Sequence, residues 1–110
     1  MTGYLLDSNA YDAILRHDDA ARLQQAELEL IASGIVLAEL RQIAAAERRQ
    51  ALLALFFTLH GSAPQAAPSL ASRDALLLAE ARAADAILVS DDKALQAAGA
   101  VSYAGFRALF

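Results

Sequence analysis

Cysteine is absent from this chain of 110 residues, and histidine occurs only twice. The absence of cysteine excludes disulfides and thiolate chemistry. His17 and His60 stand alone without a second histidine at a ligand spacing, so both are predicted to be structural. A metal ion would therefore be held by carboxylate oxygens, which suit Mg²⁺ and Mn²⁺.

Long apolar runs and excess positive charge are missing too. No segment reaches the roughly 18 apolar residues that indicate a membrane span, and the first residues lack the basic region of a signal peptide. We therefore expect a cytoplasmic protein. The formal net charge of -4 argues against a broad basic face that holds nucleic acid. It does not exclude a nuclease whose metal ions supply the local positive charge.

The length predicts a single domain over residues 1–110. Short apolar runs alternate with helical patterns, which is typical of an α/β domain with a parallel sheet. Strands are predicted at 3–6, 29–32, 86–90 and 101–103, and helices at 10–16, 18–25, from 33–34 onward, 72–84 and 93–98. Residues 51–57 fit either a helix or a strand, and residues 61–68, with two prolines, are predicted to form a loop.

Four carboxylates lie directly against apolar runs: Asp7, Glu39, Asp74 and Asp92. A buried charge must be paired, protonated or bound to a metal. Asp7 and Asp92 each follow a predicted strand, and ligands of parallel sheets collect at the carboxyl ends of the strands. The four acids are therefore candidates for one metal site.

Each of these acids also has a structural interpretation. Asp7 and Asp92 can cap the helices that follow them, and the helix dipole favours Asp74 near a helix start. Glu39 lies inside a predicted helix with no basic residue three or four positions away, so no local salt bridge accounts for it. The basic pair at 48–49 is predicted to lie on a solvated face.

Three segments together resemble the PIN-domain nucleases, most closely the VapC-type toxin ribonucleases of toxin-antitoxin systems. Residues 4–9, YLLDSN, are similar to the opening strand of the family and its Asp-Thr/Ser-Asn signature. Residues 33–40 are similar to its Ser-x-x-x-x-x-Glu-Leu segment. The third segment runs from Asp74 through an alanine-rich helix and an apolar strand to Asp92, which lies 18 residues further on.

The resemblance implies a three-layer α/β/α fold with a central, mainly parallel sheet. It implies that Asp7, Glu39, Asp74 and Asp92 ligate Mg²⁺ or Mn²⁺, with support from Ser8, Asn9, Ser90 and Asp91. The implied activity is the hydrolysis of RNA phosphodiester bonds. The implied partners are an antitoxin that blocks the acidic site and a second copy of the chain in a homodimer.

The chain departs from the family pattern at two places. The stretch between Glu39 and Asp74 is shorter than usual, and the region just before Asp74, where the family often has another acid, reads Ser72-Arg73. Asp91 and Glu80 are candidates to compensate. Two alternatives follow: a catalytically weakened PIN domain that acts as a binding or assembly module, or a PIN ribonuclease of RNA processing without an antitoxin. The apolar C-terminal residues 106–110 either contact a partner or close the core.

Overall fold

The computed structural model describes residues 2–62 and 72–110. The strands are β1 (Gly3–Leu6), β2 (Glu29–Ile31) and β3 (Ala86–Val89). The helices are α1 (Ser8–His17), α2 (Ala20–Gln25), α3 (Gly34–Arg41), α4 (Ala46–His60), α5 (Arg73–Ala83), α6 (Lys93–Ala97) and α7 (Tyr103–Arg107). None of the helices in these ranges has the length and apolar character that a bilayer crossing requires. The loop predicted at 61–68 lies outside the described residues from position 63 onward.

The three strands form a parallel sheet in the order β2-β1-β3. The central strand β1 pairs with β2 from Gly3 to Leu5 and with β3 from Gly3 to Leu6. Because β1 has neighbours on both sides and helices over the sheet, Leu5 and Leu6 are fully buried. The predicted α/β class with a parallel sheet flanked by helices is confirmed.

Short polar side chains fix where the helices begin. Asp7 caps α1 one residue after the carboxyl end of β1, and Asp92 caps α6 three residues after the carboxyl end of β3. Ser33 and Ser72 cap α3 and α5 in the same way, each by accepting a hydrogen bond from the amide three residues later. These caps fix the first residue of α3, which carries Glu39, and of α5, which carries Asp74.

Residues 51–57, which the sequence left open between helix and strand, belong to α4. Leu52 and Phe56 are buried on one side of this helix, while Phe57 is 37% exposed. Tyr11 of α1 packs against Phe56 with ring centroids 5.6 Å apart. The core thus includes the contact between α1 and α4, and α4 also contacts β2.

The strand predicted at 101–103 is wrong beyond its first residue. Val101 makes an isolated parallel bridge to Val89, but Ser102 accepts a hydrogen bond from the Gly105 amide and caps α7. Tyr103 therefore begins a helix although its aromatic side chain favours strands. Phe106 of this helix is fully buried, so the C-terminal segment closes the core at this point.

Candidate acidic site

Asp7 lies at the carboxyl end of the central strand and is 1% exposed. Its Oδ1 accepts a hydrogen bond from the Ser8 amide and its Oδ2 accepts one from Ser90 Oγ, both at 2.7 Å. Its own amide donates to the Val89 carbonyl at 2.9 Å and continues the ladder towards β3. A buried carboxylate needs such donors, because desolvation disfavours its charge. The side chain is therefore held in place by the protein alone.

Arg73, the first residue of α5, joins three of the acids. Its Nε and Nη2 donate to the two carboxylate oxygens of Glu39, each at 2.7 Å. Nη2 also contacts an oxygen of Asp7, and Nη1 donates to Asp74 Oδ1 at 3.1 Å. A bidentate guanidinium pair is among the stronger hydrogen-bonded contacts in proteins. The structure thus gathers Asp7, Glu39 and Asp74 around one positive group.

The charges in this cluster do not balance. Three carboxylates face one guanidinium, so the formal charge of the set is negative. Partial burial disfavours the charged guanidinium, but the hydrogen bonds and charges of Glu39 and Asp7 outweigh it and raise the pKa of Arg73 above its ordinary value. Glu39 and Asp74 remain 35% and 45% exposed, so solvent reaches both side chains.

Asp92 lies near this cluster but its carboxylate has other partners. Its Oδ1 accepts hydrogen bonds from the amides of Ala94 at 2.8 Å and Leu95 at 3.3 Å. Its own amide donates at 3.1 Å to Ser90 Oγ, the same hydroxyl that donates to Asp7. The Asp92 amide and the Asp7 carboxylate thus bond to the same Ser90 hydroxyl, while the Asp92 carboxylate caps α6. A ligand role for Asp92 stays a prediction.

Asn9 and Ser90 connect the turns that follow β1 and β3. Asn9 Nδ2 donates to Ser90 Oγ at 3.3 Å, and Asn9 Oδ1 accepts from the Asp91 amide at 3.2 Å. The first contact holds the Ser90 hydroxyl directly, and the second holds the backbone of the residue that follows it. The two side chains thus orient Asp7, which is the kind of support that the resemblance implies for them.

The two acids considered as compensating residues have partners of their own. The Asp91 carboxylate accepts a hydrogen bond from the Tyr103 amide at 2.9 Å, at the start of α7. Glu80 accepts one from Ser33 Oγ at 2.6 Å, at the start of α3. Both carboxylates are therefore used to position helices.

The chemical type of the donors in this cluster, carboxylate oxygens, suits a divalent ion. No group of three or more histidine, aspartate or glutamate side chains in residues 2–62 and 72–110 is arranged to hold a metal ion as the side chains stand. The carboxylates face a guanidinium instead. Oxygens from three carboxylates around a positive charge are nevertheless the ligand chemistry that Mg²⁺ and Mn²⁺ prefer.

A cleft of about 280 Å³ opens beside Glu39. Polar side chains of Ser8, Asn9, Glu39 and Arg48 line it together with apolar Leu40, Ile43 and Leu52. The Ser8 hydroxyl lies 3.5 Å from both an oxygen of Asp7 and Arg73 Nη2, so the cleft borders the acidic cluster. The Arg48 side chain is 57% exposed, and its Nη2 lies 3.3 Å from Asp12 Oδ1. Arg48 therefore lies at the solvated surface and also forms part of one wall of this cleft.

The central place of Arg73 is what the sequence did not predict. Its contacts with Glu39 and Asp7 join residues 34 and 66 positions apart. The available signal was a basic residue immediately before one of the acids at a helix start. The sequence identified that residue only as a departure from the family pattern.

Asp19 is a second buried acid, and the sequence did not single it out. It is 1% exposed, and its Oδ2 accepts hydrogen bonds from the Tyr103 hydroxyl and from Arg107 Nε, both at 2.7 Å. Arg22 Nη1 lies 3.6 Å from its Oδ1. Burial alone would raise the pKa of Asp19, but these donors and charges hold it below its usual value.

Both histidines contact aromatic side chains of the fold. His60 Nε2 lies 2.5 Å from the Tyr11 hydroxyl, and burial lowers the pKa of His60 to about 4. His17 stacks on Tyr103 with ring centroids 6.0 Å apart.

No protein-family model matches this chain, and no curated protein matches it in sequence. The resemblance to PIN-domain nucleases rests on the residues of the three sequence segments. What the structure adds is the parallel sheet, the gathering of three of the four acids, and the guanidinium among them.

Proposed function

We propose that this protein is an endoribonuclease that hydrolyses RNA phosphodiester bonds with the help of Mg²⁺ or Mn²⁺. The observation that supports it is the gathering of Asp7, Glu39 and Asp74 around one cation beside the carboxyl end of the central strand. Ligands of parallel α/β sheets bind at this edge. A site with excess negative charge is suited to a divalent cation, and hard oxygen donors favour the two named ions.

In this proposal Asp7, Glu39 and Asp74 hold the metal ion, with Asp92 next to them. The bound ion would supply a water of lowered pKa and polarise the phosphodiester. Asp7 is the fixed member of the set, because Ser90 and the Ser8 amide hold it. Glu39 and Asp74, which are more exposed, adjust to the ion.

The cleft beside Glu39 supports a nucleic-acid substrate. Its apolar part includes the partly exposed Ile43, which offers contact to a base or sugar, and Arg48 offers a positive group for a phosphate. Because the chain carries a formal net charge of -4, local cations of this kind would hold RNA in the absence of net positive charge. We propose that one nucleotide next to the cleaved bond lies in this cleft.

We further propose that the protein is the cytoplasmic toxin of a VapBC-type pair, with an antitoxin that covers the acidic site and a homodimeric assembly. These proposals come from the resemblance alone. Exposed Leu15, Phe57 and Leu109 offer apolar surface for such contacts. Sedimentation of the purified protein tests the dimer. A neighbouring reading frame for a basic, DNA-binding protein would favour the toxin over an RNA-processing ribonuclease.

Cleavage of total tRNA tests the activity. The wild-type protein is expected to cleave with Mg²⁺ or Mn²⁺ and to stop when EDTA is added, and Asp7→Asn is expected to be inactive. Asp85→Asn is the matched control, because it removes the same charge from an exposed residue whose positive φ asparagine tolerates. Cleavage without metal, or equal cleavage by Asp7→Asn, would contradict the proposal.

A second candidate is a catalytically weakened domain that acts as a binding or assembly module. The ion pairs of Arg73 with Glu39 and Asp7 favour it, because they offset part of the charge that a metal ion would otherwise neutralise. A ligand that binds only the folded state stabilises it by about 2.7 kcal/mol at a hundredfold excess over its Kd. If millimolar Mn²⁺ leaves the melting temperature unchanged, the module gains support and the nuclease loses it.

A further inference from the structure

We propose that Arg73 is a built-in competitor of the metal ion. Its guanidinium occupies the acidic site when no divalent ion is bound and leaves the carboxylates when one binds. The inference rests on the proposed function, because it requires that these acids bind a divalent ion. It adds a residue of this chain that sets the metal affinity of the site.

Arg73 uses the oxygens that an ion would need. Both carboxylate oxygens of Glu39 accept hydrogen bonds from it at 2.7 Å. It also contacts Oδ1 of Asp7, whose other oxygen is already bonded to Ser90. The third acid, Asp74, gives Oδ1 to the same guanidinium. The guanidinium therefore takes oxygens from all three acids.

A guanidinium and a divalent ion cannot share these oxygens without rearrangement. Mg²⁺ requires oxygen ligands at about 2.0–2.1 Å in near-octahedral geometry. The planar guanidinium holds Glu39 at 2.7 Å from its nitrogens, in a direction set by its own fork. Two positive groups on the same carboxylate oxygens would also repel one another. The two occupants are therefore alternatives.

Arg73 is able to leave. Its side chain is 31% exposed, so solvent can receive the charged end. The start of α5 depends on the Ser72 hydroxyl, which accepts from the Ala75 amide, and does not need the guanidinium. Asp7 keeps its bonds to Ser90 and to the Ser8 amide when Arg73 departs. The exchange replaces one cation by another and leaves the fixed acid in place.

Mn²⁺ titration of the purified protein, followed by calorimetry, tests the competition. Arg73→Gln removes the guanidinium and is expected to bind Mn²⁺ more tightly than wild type by about 5- to 150-fold, the usual range of coupling between two sites. Arg82→Gln removes the same charge from an exposed position of the same helix and is expected to bind as wild type does. Arg73→Lys keeps the charge without the fork and is expected to lie between wild type and Arg73→Gln.

A second measurement uses the unmodified chain and does not depend on the folding of a variant. In NMR spectra the Nε–H of Arg73, bonded to Glu39, is expected to exchange slowly without metal and rapidly at saturating Mg²⁺. Because coupling is reciprocal, the ion must loosen Arg73 by the same factor by which Arg73 weakens the ion. A signal that stays protected at saturation would overturn the inference.

The outcomes separate this inference from the proposed activity. Equal or weaker Mn²⁺ binding by Arg73→Gln overturns the competition and leaves the nuclease proposal standing. Tighter binding by Arg73→Gln without RNA cleavage supports the competition and counts against the nuclease. Absence of Mn²⁺ binding by both proteins overturns both.

Discussion

Two buried aspartates, Asp7 and Asp19, have similar surroundings and different charge balances. Each is 1% exposed, each accepts a hydrogen bond at 2.7 Å from a hydroxyl, and each contacts an arginine. The hydroxyl belongs to Ser90 in the first case and to Tyr103 in the second. Burial and pairing alone therefore do not distinguish a functional acid from a structural one.

The difference lies in what surrounds the pair. At Asp7 two further carboxylates share the single guanidinium of Arg73, so negative charge is in excess. At Asp19 one carboxylate faces two arginines, Arg107 and Arg22, and positive charge is in excess. Only the first arrangement has oxygens and charge to offer to a divalent ion. Asp19 instead connects α7 to the start of α2.

The largest expected effect is on the RNA cleavage that we propose for the first cluster. Glu39→Gln removes one charged donor and is expected to lower RNA cleavage by at least the roughly 10- to 100-fold that loss of a supporting ligand contact causes. Glu47→Gln makes the same change at an exposed position of α4 and should leave cleavage unchanged. Initial rates at saturating Mn²⁺ measure both. Equal rates for Glu39→Gln and wild type would remove the distinction between the two clusters.

Asp19→Asn is expected to act on stability alone. It removes the charge of the carboxylate that accepts hydrogen bonds from Arg107 and Tyr103. We expect a loss of about 3 kcal/mol in the free energy of unfolding. Urea unfolding with and without Mn²⁺ measures it. Addition of Mn²⁺ should raise stability in this variant as much as in wild type. A variant that loses Mn²⁺ binding would show that the second cluster also serves the site.

The two hydroxyl groups allow a smaller, matched comparison. Ser90→Ala and Tyr103→Phe each remove one donor to a buried carboxylate, and each is expected to cost about 1.5 kcal/mol of stability. Only Ser90→Ala is expected to weaken Mn²⁺ binding as well, by about 10-fold, because its hydroxyl orients Asp7. Calorimetric titration of the two variants distinguishes these roles. Equal Mn²⁺ affinities would argue against a positioning role for Ser90.

The last expected effect is absent at neutral pH, appears only in acid, and concerns a histidine outside both clusters. The pKa of His60 is lowered by burial to about 4, against about 6.5 in an unfolded chain. Below about pH 6.5 the unfolded state binds a proton that the folded state refuses, so stability falls as the pH drops towards 4. His60→Gln should flatten this part of the profile of melting temperature against pH. A profile unchanged by His60→Gln would assign the loss to other groups.

Local patterns made much of the fold predictable. The apolar run that ends at Asp7 and the run before Ser90 are strands, and the capping residues that follow them start helices as expected. The limits came where a local pattern was ambiguous or overridden. Residues 51–57 are almost all apolar, so their sequence shows neither a helical nor a strand period. At the C-terminal end, the Ser102 cap outweighs the strand preference of Tyr103.

The candidate site was predictable in its acids and not in their partner. Asp7, Glu39 and Asp74 each stand against an apolar run, which marks them in the sequence, and the fold gathers them. Asp92 satisfied the same criterion, yet its carboxylate bonds to the start of its own helix. Which carboxylate faces which cation depends on contacts across tens of residues, such as that of Arg73 with Glu39. Sequence spacing along one element does not contain that information.

Crystals grown without metal and then soaked in Mn²⁺ test the central claim most directly. The anomalous signal of manganese is expected within ligand distance, about 2.0–2.3 Å, of carboxylate oxygens of Asp7, Glu39 and Asp74. The guanidinium of Arg73 should have left Glu39 in the same crystal. No manganese at these oxygens, with Arg73 still bonded to Glu39, would contradict the assignment of the cluster as a metal site.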